Sequence, residues 1–142
     1  MSDATRLPPA IDLPALAARD AFVRSLGIEV VESWQGSCVC RVAIEDRHLN
    51  FNGVVHGGLI FSLADSALGY ASNAAGKMTA AIDAHIVYSR PTRVGDVLTA
   101  TATELSRTTR LATYRIDIVR GDGSLVAAMT GTTFIADRPP GG

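Results

Sequence analysis

An ionisable residue, Asp65, lies in the middle of a run of apolar and small residues that follows His56-Gly57-Gly58. The length and alanine content of residues 57–75 predict a helix, so the first N–H groups after His56 lack intrahelical acceptors and lie at the positive end of the helix dipole. Glycine lets a substrate approach that backbone closely. Such N–H groups can stabilise an oxyanion, and a nearby carboxylate can act as a base on water or as a nucleophile. The pattern therefore indicates acyl transfer.

The spacing of Gly57 and Asp65 places a condition on this chemistry. Eight helical residues correspond to ~12 Å along the axis and an angular offset of roughly 80°. The two groups of one chain therefore cannot both touch one carbonyl. We expect a two-fold dimer in which antiparallel helices bring the first turn of each against the partner's Asp65.

The helix face that carries Asp65 is small and polar. Its residues follow each other at intervals of four and three and are Gly58, Ser62, Asp65, Gly69 and Ser72. Such a face leaves room for a ligand, or it allows a close contact with another element that satisfies Asp65 by a hydrogen bond. The other side is predicted to be core and carries Ile60, Leu63, Ala64, Ala67, Leu68 and Ala71.

The remaining elements predict an α+β fold in one domain. Residues 14–26 have the spacing of a helix that stops at Gly27. Period-two patterns predict strands at 28–33, 37–44, 80–89, 97–105, 111–120 and 125–135. Short turns favour antiparallel pairing, and only the long helix is large enough to cover the sheet. We expect flexible segments at 1–13 and 137–142 around a domain of 14–136.

Composition excludes several classes of function. The net charge of -1 and the absence of a basic block argue against nucleic-acid binding. The sequence shows no apolar stretch that would span a membrane and no signal peptide, and Cys38 and Cys40 are expected to be buried thiols, so we predict a soluble cytoplasmic protein. His56 has no partner at ligand spacing, since His48 lies eight residues earlier and His85 on another element, so no metal is expected.

Two motifs resemble a known family. The pattern N-x-N-G-x-x-H-G-G-x-x-x-x-L-A-D-x-A at residues 50–67 resembles the signature of the hotdog-fold acyl-CoA thioesterases, most closely the PaaI-type phenylacetyl-CoA thioesterases. The stretch D-A-H-I-V-Y-S-R-P at 83–91, followed by Gly95-Asp96, is similar to a supporting motif of that group. The resemblance extends over roughly residues 20–136. It implies a sheet of about six strands wrapped around one long central helix, and dimers that commonly pair again into tetramers.

The resemblance also implies roles for single residues. Asp65 matches the catalytic carboxylate, contributed by the partner chain, and Gly57 matches the residue whose N–H polarises the thioester carbonyl. Asn50 matches a polar residue near the thioester or the attacking water, and His56 matches a histidine beside the oxyanion site. Some members place a helper hydroxyl where this chain has Ala81.

Ser62 or Ser66 could take the place of that hydroxyl. Arginines at 90, 93, 107 and 110 either meet the phosphates of coenzyme A or are ordinary solvated side chains. The expected substrate-binding residues are Val55, Gly58, Phe61, Ser62, Ser66, Arg90 and Arg93.

The implied function is hydrolysis of an acyl-CoA, with an aromatic phenylacetyl-type or a medium aliphatic acyl group and no cofactor beyond the substrate's own CoA. The alternative is a non-catalytic acyl-CoA-binding module.

Overall fold

The computed structural model describes residues 6–141, and its strands pair antiparallel in one sheet. They are β1 (Glu29–Trp34), β2 (Ser37–Ala43), β3 (Thr79–Tyr88), β4 (Val97–Arg107), β5 (Leu111–Val119) and β6 (Leu125–Ile135). Their order across the sheet is β1-β2-β4-β5-β6-β3. Each strand begins and ends within two residues of its predicted bounds, so the six-stranded antiparallel sheet is confirmed.

Three α-helices accompany the sheet within the described range: α1 (Leu13–Arg19), α2 (Ala21–Leu26) and α3 (Gly57–Asn73). A 3-10 turn at Asp46–His48 follows β2. All six residues predicted for the core side of α3 are buried against the sheet. The facing side chains on the strands are small or aliphatic, such as Ala100, Ala102 and Ile116, which are fully buried. This packing leaves the side of α3 that carries Asp65 turned away from the sheet.

The prediction of a single helix over residues 14–26 is wrong, because Asp20 interrupts it. Asp20 is the last cap of α1 and the first cap of α2, and its Oδ1 accepts a hydrogen bond from the Val23 N–H at 3.2 Å. An Asp side chain competes with the backbone in this way and favours caps over helix interiors. Gly27 ends α2 in the left-handed conformation with φ 74°, as predicted.

Both chain ends are hydrogen-bonded to the domain where the structure describes them. The Ala10 N–H donates to the Ala74 carbonyl at 2.8 Å, and the Met78 N–H donates to the Arg138 carbonyl at 2.7 Å. Hydrogen-bonded backbone thus extends into the segments 1–13 and 137–142, of which residues 1–5 and 142 lie outside the described residues. The tail approaches α1, where Gly141 lies beside Leu16.

Strand β3 forms one edge of the sheet. It is ten residues long, and most of its side chains are exposed, with Ile82 at 61% and Tyr88 at 48%. Within the described chain its other edge pairs with no strand, which leaves a row of free backbone donors and acceptors. Cys38 and Cys40 on β2 form no disulfide and are fully buried, as predicted, with their sulfurs 3.8 Å apart. No helix in residues 6–141 is long and apolar enough to cross a membrane.

Candidate active site

The first turn of α3 keeps one N–H group without an acceptor. His56 is the N-cap, and its Nδ1 accepts a hydrogen bond from the Gly58 N–H at 2.8 Å, while the Leu59 N–H donates to the His56 carbonyl at 3.0 Å. Among residues 6–141 the Gly57 N–H has no acceptor. The free donor therefore belongs to the residue to which the resemblance assigns the oxyanion. His56 acts here as a cap that leaves that donor available.

Tyr88 binds the carbonyl group of Gly57. Its hydroxyl, at the end of β3, donates to the Gly57 carbonyl at 3.0 Å. Spacing gave no signal for this role, although Tyr88 lies in the second motif. A cavity of about 320 Å³ opens at this point and is lined by Val54, Val55, Gly57, Ile60, Tyr88, Ser89, Arg90, Pro91 and Thr92.

Asp65 lies in a second and larger cavity of about 620 Å³. Helices α1 and α2 and the C-terminal tail form its outer wall. Its lining comprises Leu13, Leu16, Arg19, Asp20, Phe22, Val23, Phe61, Ser62, Asp65, Ser66, Gly69, Tyr70, Asn73, Pro140 and Gly141. This wall could not be read from the sequence, because it depends on where the tail and the two short helices pack.

The environment of Asp65 disfavours its charged form. Asp65 is exposed in the single chain, yet the walls of the groove remove enough water from the carboxylate to raise its pKa above the ordinary value of 3.8. Among residues 6–141 no group donates a hydrogen bond to it. An unpartnered carboxylate with a raised pKa in a cleft is a candidate general base.

The two cavities share no lining residue, so one chain presents the predicted site as two separate parts. Phe61, Ser62 and Ser66 lie with Asp65, whereas Val55 and Arg90 lie with Gly57. The expected substrate-binding residues Gly58 and Arg93 line neither cavity. This arrangement agrees with the helix geometry, which separates Gly57 from Asp65 by ~12 Å.

Asn50 lies in the loop that leads to α3 and shapes it. Its Oδ1 accepts hydrogen bonds from the N–H groups of Asn52 at 2.9 Å and Val54 at 3.2 Å. Its amide nitrogen has no acceptor among the described residues. Asn50 therefore combines a structural role, through the oxygen, with a free donor.

The serines proposed as helper hydroxyls bond to their own helix. Ser62 donates to the Gly58 carbonyl at 2.7 Å and Ser66 to the Ser62 carbonyl at 2.6 Å. Their oxygens can still accept a hydrogen bond, but their protons are engaged. Ser72, predicted to share the open face with Asp65, is instead fully buried and bonds to Thr79, because β3 begins beside the last turn of α3.

The four late arginines lie at opposite ends of the sheet. Arg90 and Arg93 follow β3 at the end that holds Gly57, and Arg90 donates to the Leu125 carbonyl at 2.8 Å. Arg107 and Arg110 flank the β4–β5 turn at the other end, where Arg107 bonds to Glu104 at 3.1 Å. Antiparallel strand order separates residues that seemed clustered in sequence.

Two glycines of α3 are not required by the packing of this chain. A Cβ on Gly69 would meet nothing within 4 Å, and a Cβ on Gly57 would make only ordinary contact with Tyr88 at 3.5 Å. Gly58 is different, since a Cβ there would lie 2.9 Å from His56 Nδ1. Within residues 6–141, no group of three His, Cys, Asp or Glu side chains is placed to hold a metal ion.

A long helix cradled by a six-stranded antiparallel sheet, with a free N–H at its first residue and a carboxylate two turns later, defines a hotdog-fold thioester hydrolase. The chain belongs to the thioesterase superfamily, whose family model matches residues 52–127. The predicted family, the hotdog fold and the class of enzyme are thereby confirmed.

Individual relatives agree with this assignment. The chain is 35% identical over 117 residues to the Escherichia coli acyl-coenzyme A thioesterase PaaI, covering 82% of this chain and 84% of that protein. It is 34% identical to a putative esterase of Archaeoglobus fulgidus, covering 85% and 80% of the two chains. The structure of the E. coli PaaI protein from the phenylacetic acid degradation operon superposes with a TM-score of 0.87 at 32% identity, covering 89% and 92%.

Proposed function

We propose that this protein hydrolyses the thioester of an acyl-CoA to the free acid and CoA, at sites that two subunits share. The Gly57 N–H of one subunit stabilises the oxyanion, and Asp65 of the partner subunit activates water or attacks the carbonyl itself. Membership of the thioesterase superfamily and the similarity to an acyl-coenzyme A thioesterase support this activity.

One observation carries the proposal. Gly57 has a free donor and Asp65 has a free carboxylate, but they line separate cavities on one protomer. Each cavity holds one of the two groups that acyl transfer needs. Strand β3, with its unpaired edge next to Tyr88, offers the surface on which a second copy can extend the sheet.

Gly57 and Gly69, which the packing of this chain does not require, also support a binding site for a group from outside the protomer. A glycine inside a helix costs about 1 kcal/mol relative to alanine. Gly69 lies inside α3 and lines the Asp65 cavity, while Gly57 lines the other. Because the protomer itself has room for a Cβ at both positions, the space they leave open serves a group from outside it, which we propose is the substrate.

The chemistry follows from this arrangement in two forms. As a general base, Asp65 takes a proton from water, and the hydroxide adds to the thioester carbon while the oxyanion accepts the Gly57 N–H. Collapse of the tetrahedral intermediate breaks the C–S bond and releases CoA as the thiolate. As a nucleophile, the carboxylate displaces CoA to give a mixed anhydride, which water then hydrolyses. The raised pKa of Asp65 strengthens it as a base.

The groove beside Asp65 suits the acyl group. Its walls are largely apolar, and Phe61 and Phe22 offer aromatic surfaces. We propose an aromatic, phenylacetyl-type acyl group, with a medium aliphatic chain as the competing substrate. We propose that Arg90, which lines the cavity beside Gly57, meets the CoA portion. The homodimer, its pairing into a tetramer, the absence of a cofactor and the cytoplasmic location that the buried thiols predict are parts of the same proposal.

Subunit mixing tests the shared site directly. Gly57→Pro removes the donor and should still fold, because proline suits the first helical position and His56 before it has an extended ψ of 129°. Asp65→Asn removes the base. Random reassociation of the two inactive variants should restore about one quarter of wild-type turnover, since half of the dimers are mixed and each contains one intact site.

A matched control variant and an assay of CoA release by the wild-type protein complete this experiment. Gly57→Ala retains the N–H and is the matched control for Gly57→Pro: the activity it loses measures the filled space, and the further loss in Gly57→Pro measures the donor. A mixture no more active than its parents would show that the site lies within one chain. If wild-type protein released no CoA from either phenylacetyl-CoA or a medium-chain acyl-CoA while binding both, the chain would be an acyl-CoA-binding module instead.

A further inference from the structure

His48 is a buried histidine that the proposed chemistry does not use. It is 3% exposed, and both of its ring nitrogens are engaged. The Glu45 N–H donates to Nδ1 at 3.0 Å, and Nε2 lies 2.9 Å from the Leu26 carbonyl oxygen. Because a carbonyl only accepts, Nε2 must carry the proton, which assigns the ring to the neutral Nε2–H tautomer.

The Nδ1 bond closes the short turn at Asp46–His48, and the Nε2 bond ties that turn to the end of helix α2. Leu26 is the last residue of α2. Arg47, which precedes His48 in the chain, makes a second connection to α2, because its guanidinium donates to the Ser25 carbonyl. The turn is thereby anchored to an element that is itself packed on the core.

The backbone of His48 carries this anchor to the candidate site. Its carbonyl accepts the His56 N–H at 2.8 Å, and a β-bridge joins Leu49 to Val55. Residues 48–49 and 55–56 therefore form the stem of the loop before α3. His56 is covalently joined to Gly57. A single peptide therefore separates the bond made by His48 from the free N–H at the start of α3.

Other contacts hold the loop less directly. Beyond the stem, Asn50 Oδ1 organises the turn at the tip, where Phe51 is 96% exposed. These bonds shape the tip but tie it to no other element. Orientation of the loop relative to the core depends on its stem.

We infer that His48 is a positioning residue, which aims the Gly57 N–H by anchoring the stem of the loop before α3. This inference rests on the proposed thioesterase site. Catalytic groups must be held within about 0.5 Å of productive geometry, and a shift of about 1 Å from a remote change lowers turnover roughly 10²-fold. His48 touches neither substrate nor water in this role.

The test compares His48→Leu with His48→Gln and His48→Asn. Leucine fills the space but removes both ring bonds, whereas the Gln side-chain amide can replace Nε2 as the donor to the Leu26 carbonyl, and the Asn Oδ1 can replace only the local acceptor for Glu45. His48→Leu should lower kcat roughly 10- to 100-fold with little change in KM. His48→Gln should recover a large part of kcat, and His48→Asn should recover little. Tyr114→Phe is the control, since it removes a buried hydrogen bond to Glu104 on strands β4 and β5, away from the loop.

An NMR readout separates this inference from the proposed function. Hydrogen exchange of the His56 amide should accelerate and the Gly57 amide resonance should shift in His48→Leu but not in Tyr114→Phe. An unchanged Gly57 resonance, or an equal loss of kcat in Tyr114→Phe at equal loss of thermal stability, would overturn the inference. If the wild-type protein hydrolysed no acyl-CoA, the proposed function would fail, and the amide data alone would decide whether His48 controls Gly57.

Discussion

The Tyr88 hydroxyl donates a 3.0 Å hydrogen bond to the Gly57 carbonyl, so the last residue of strand β3 is tied to the first residue of helix α3. Strand β3 is the exposed edge of the sheet, and we propose that a second copy pairs there. Subunit pairing would then restrain the strand that holds Gly57. The oxyanion donor and the dimer edge are coupled through one side chain.

Tyr88→Phe should lower turnover several-fold without unfolding the protein. A hydrogen bond of this kind contributes about 1 kcal/mol, and Tyr88 is half exposed, so its loss is tolerated by the core. The measurement is kcat for acyl-CoA hydrolysis beside the thermal midpoint. Val87→Ala, a change on the same strand, is the control, and an unaltered kcat in Tyr88→Phe would contradict the coupling.

Asp65→Asn should reduce turnover by roughly 10²- to 10⁴-fold, because it removes the base or nucleophile while preserving shape. Steady-state release of CoA measures this effect. Ser66→Ala, which changes a neighbouring residue of the same groove, should retain most of the activity. Near-normal turnover in Asp65→Asn would exclude Asp65 from the chemistry.

The same substitution should affect stability in a pH-dependent way. Partial desolvation in the groove raises the pKa of Asp65 above 3.8, so the native state binds more protons than the unfolded chain between 3.8 and the raised value. Wild-type stability therefore falls as pH rises through this window. Asp65→Asn should be more stable than wild type at about pH 8 and equal to it below the window. Urea midpoints at several pH values measure the difference, and a gap that widened towards acid would contradict the assigned desolvation.

Activity should follow ionisation of the same carboxylate. A base must be unprotonated, so kcat/KM of the wild-type protein should rise with pH and level off above an apparent pKa that exceeds 3.8. Rate profiles for one acyl-CoA over the acid range provide the measurement. A profile with no acid limb above that value would speak against Asp65 as the titrating group.

Alanine at Gly58 and at Gly69 should have opposite effects on stability. A Cβ at Gly58 would lie 2.9 Å from His56 Nδ1 and displace the cap of α3, whereas a Cβ at Gly69 meets nothing within 4 Å. Gly69→Ala should stabilise the protein by about 1 kcal/mol and raise KM for bulky acyl groups by narrowing the groove. Thermal midpoints and a series of acyl-CoAs test both effects. A destabilised Gly69→Ala variant would contradict them.

The hydrophobic periodicity of the sequence by itself predicted the strands and the buried face of the long helix. Apolar residues at every second position predicted the bounds of six strands to within two residues, and apolar residues spaced three and four apart identified the buried side of α3. The rise of a helix separates Gly57 from Asp65 by ~12 Å, and this distance alone predicted a site shared between subunits. These inferences depend on short-range geometry that a sequence states directly. Asp20 shows the limit, because a capping side chain overrode the helical pattern.

Only the tertiary structure decided which distant residues meet. Strand order placed β3 beside β6 and so brought Tyr88 to Gly57, and it sent Arg90 and Arg107 to opposite ends of the sheet. The wall of the Asp65 groove joins residues from both chain ends, and the ring of His48 found its acceptor at Leu26. Contacts of this kind arise from how elements pack, and no spacing within one element encodes them.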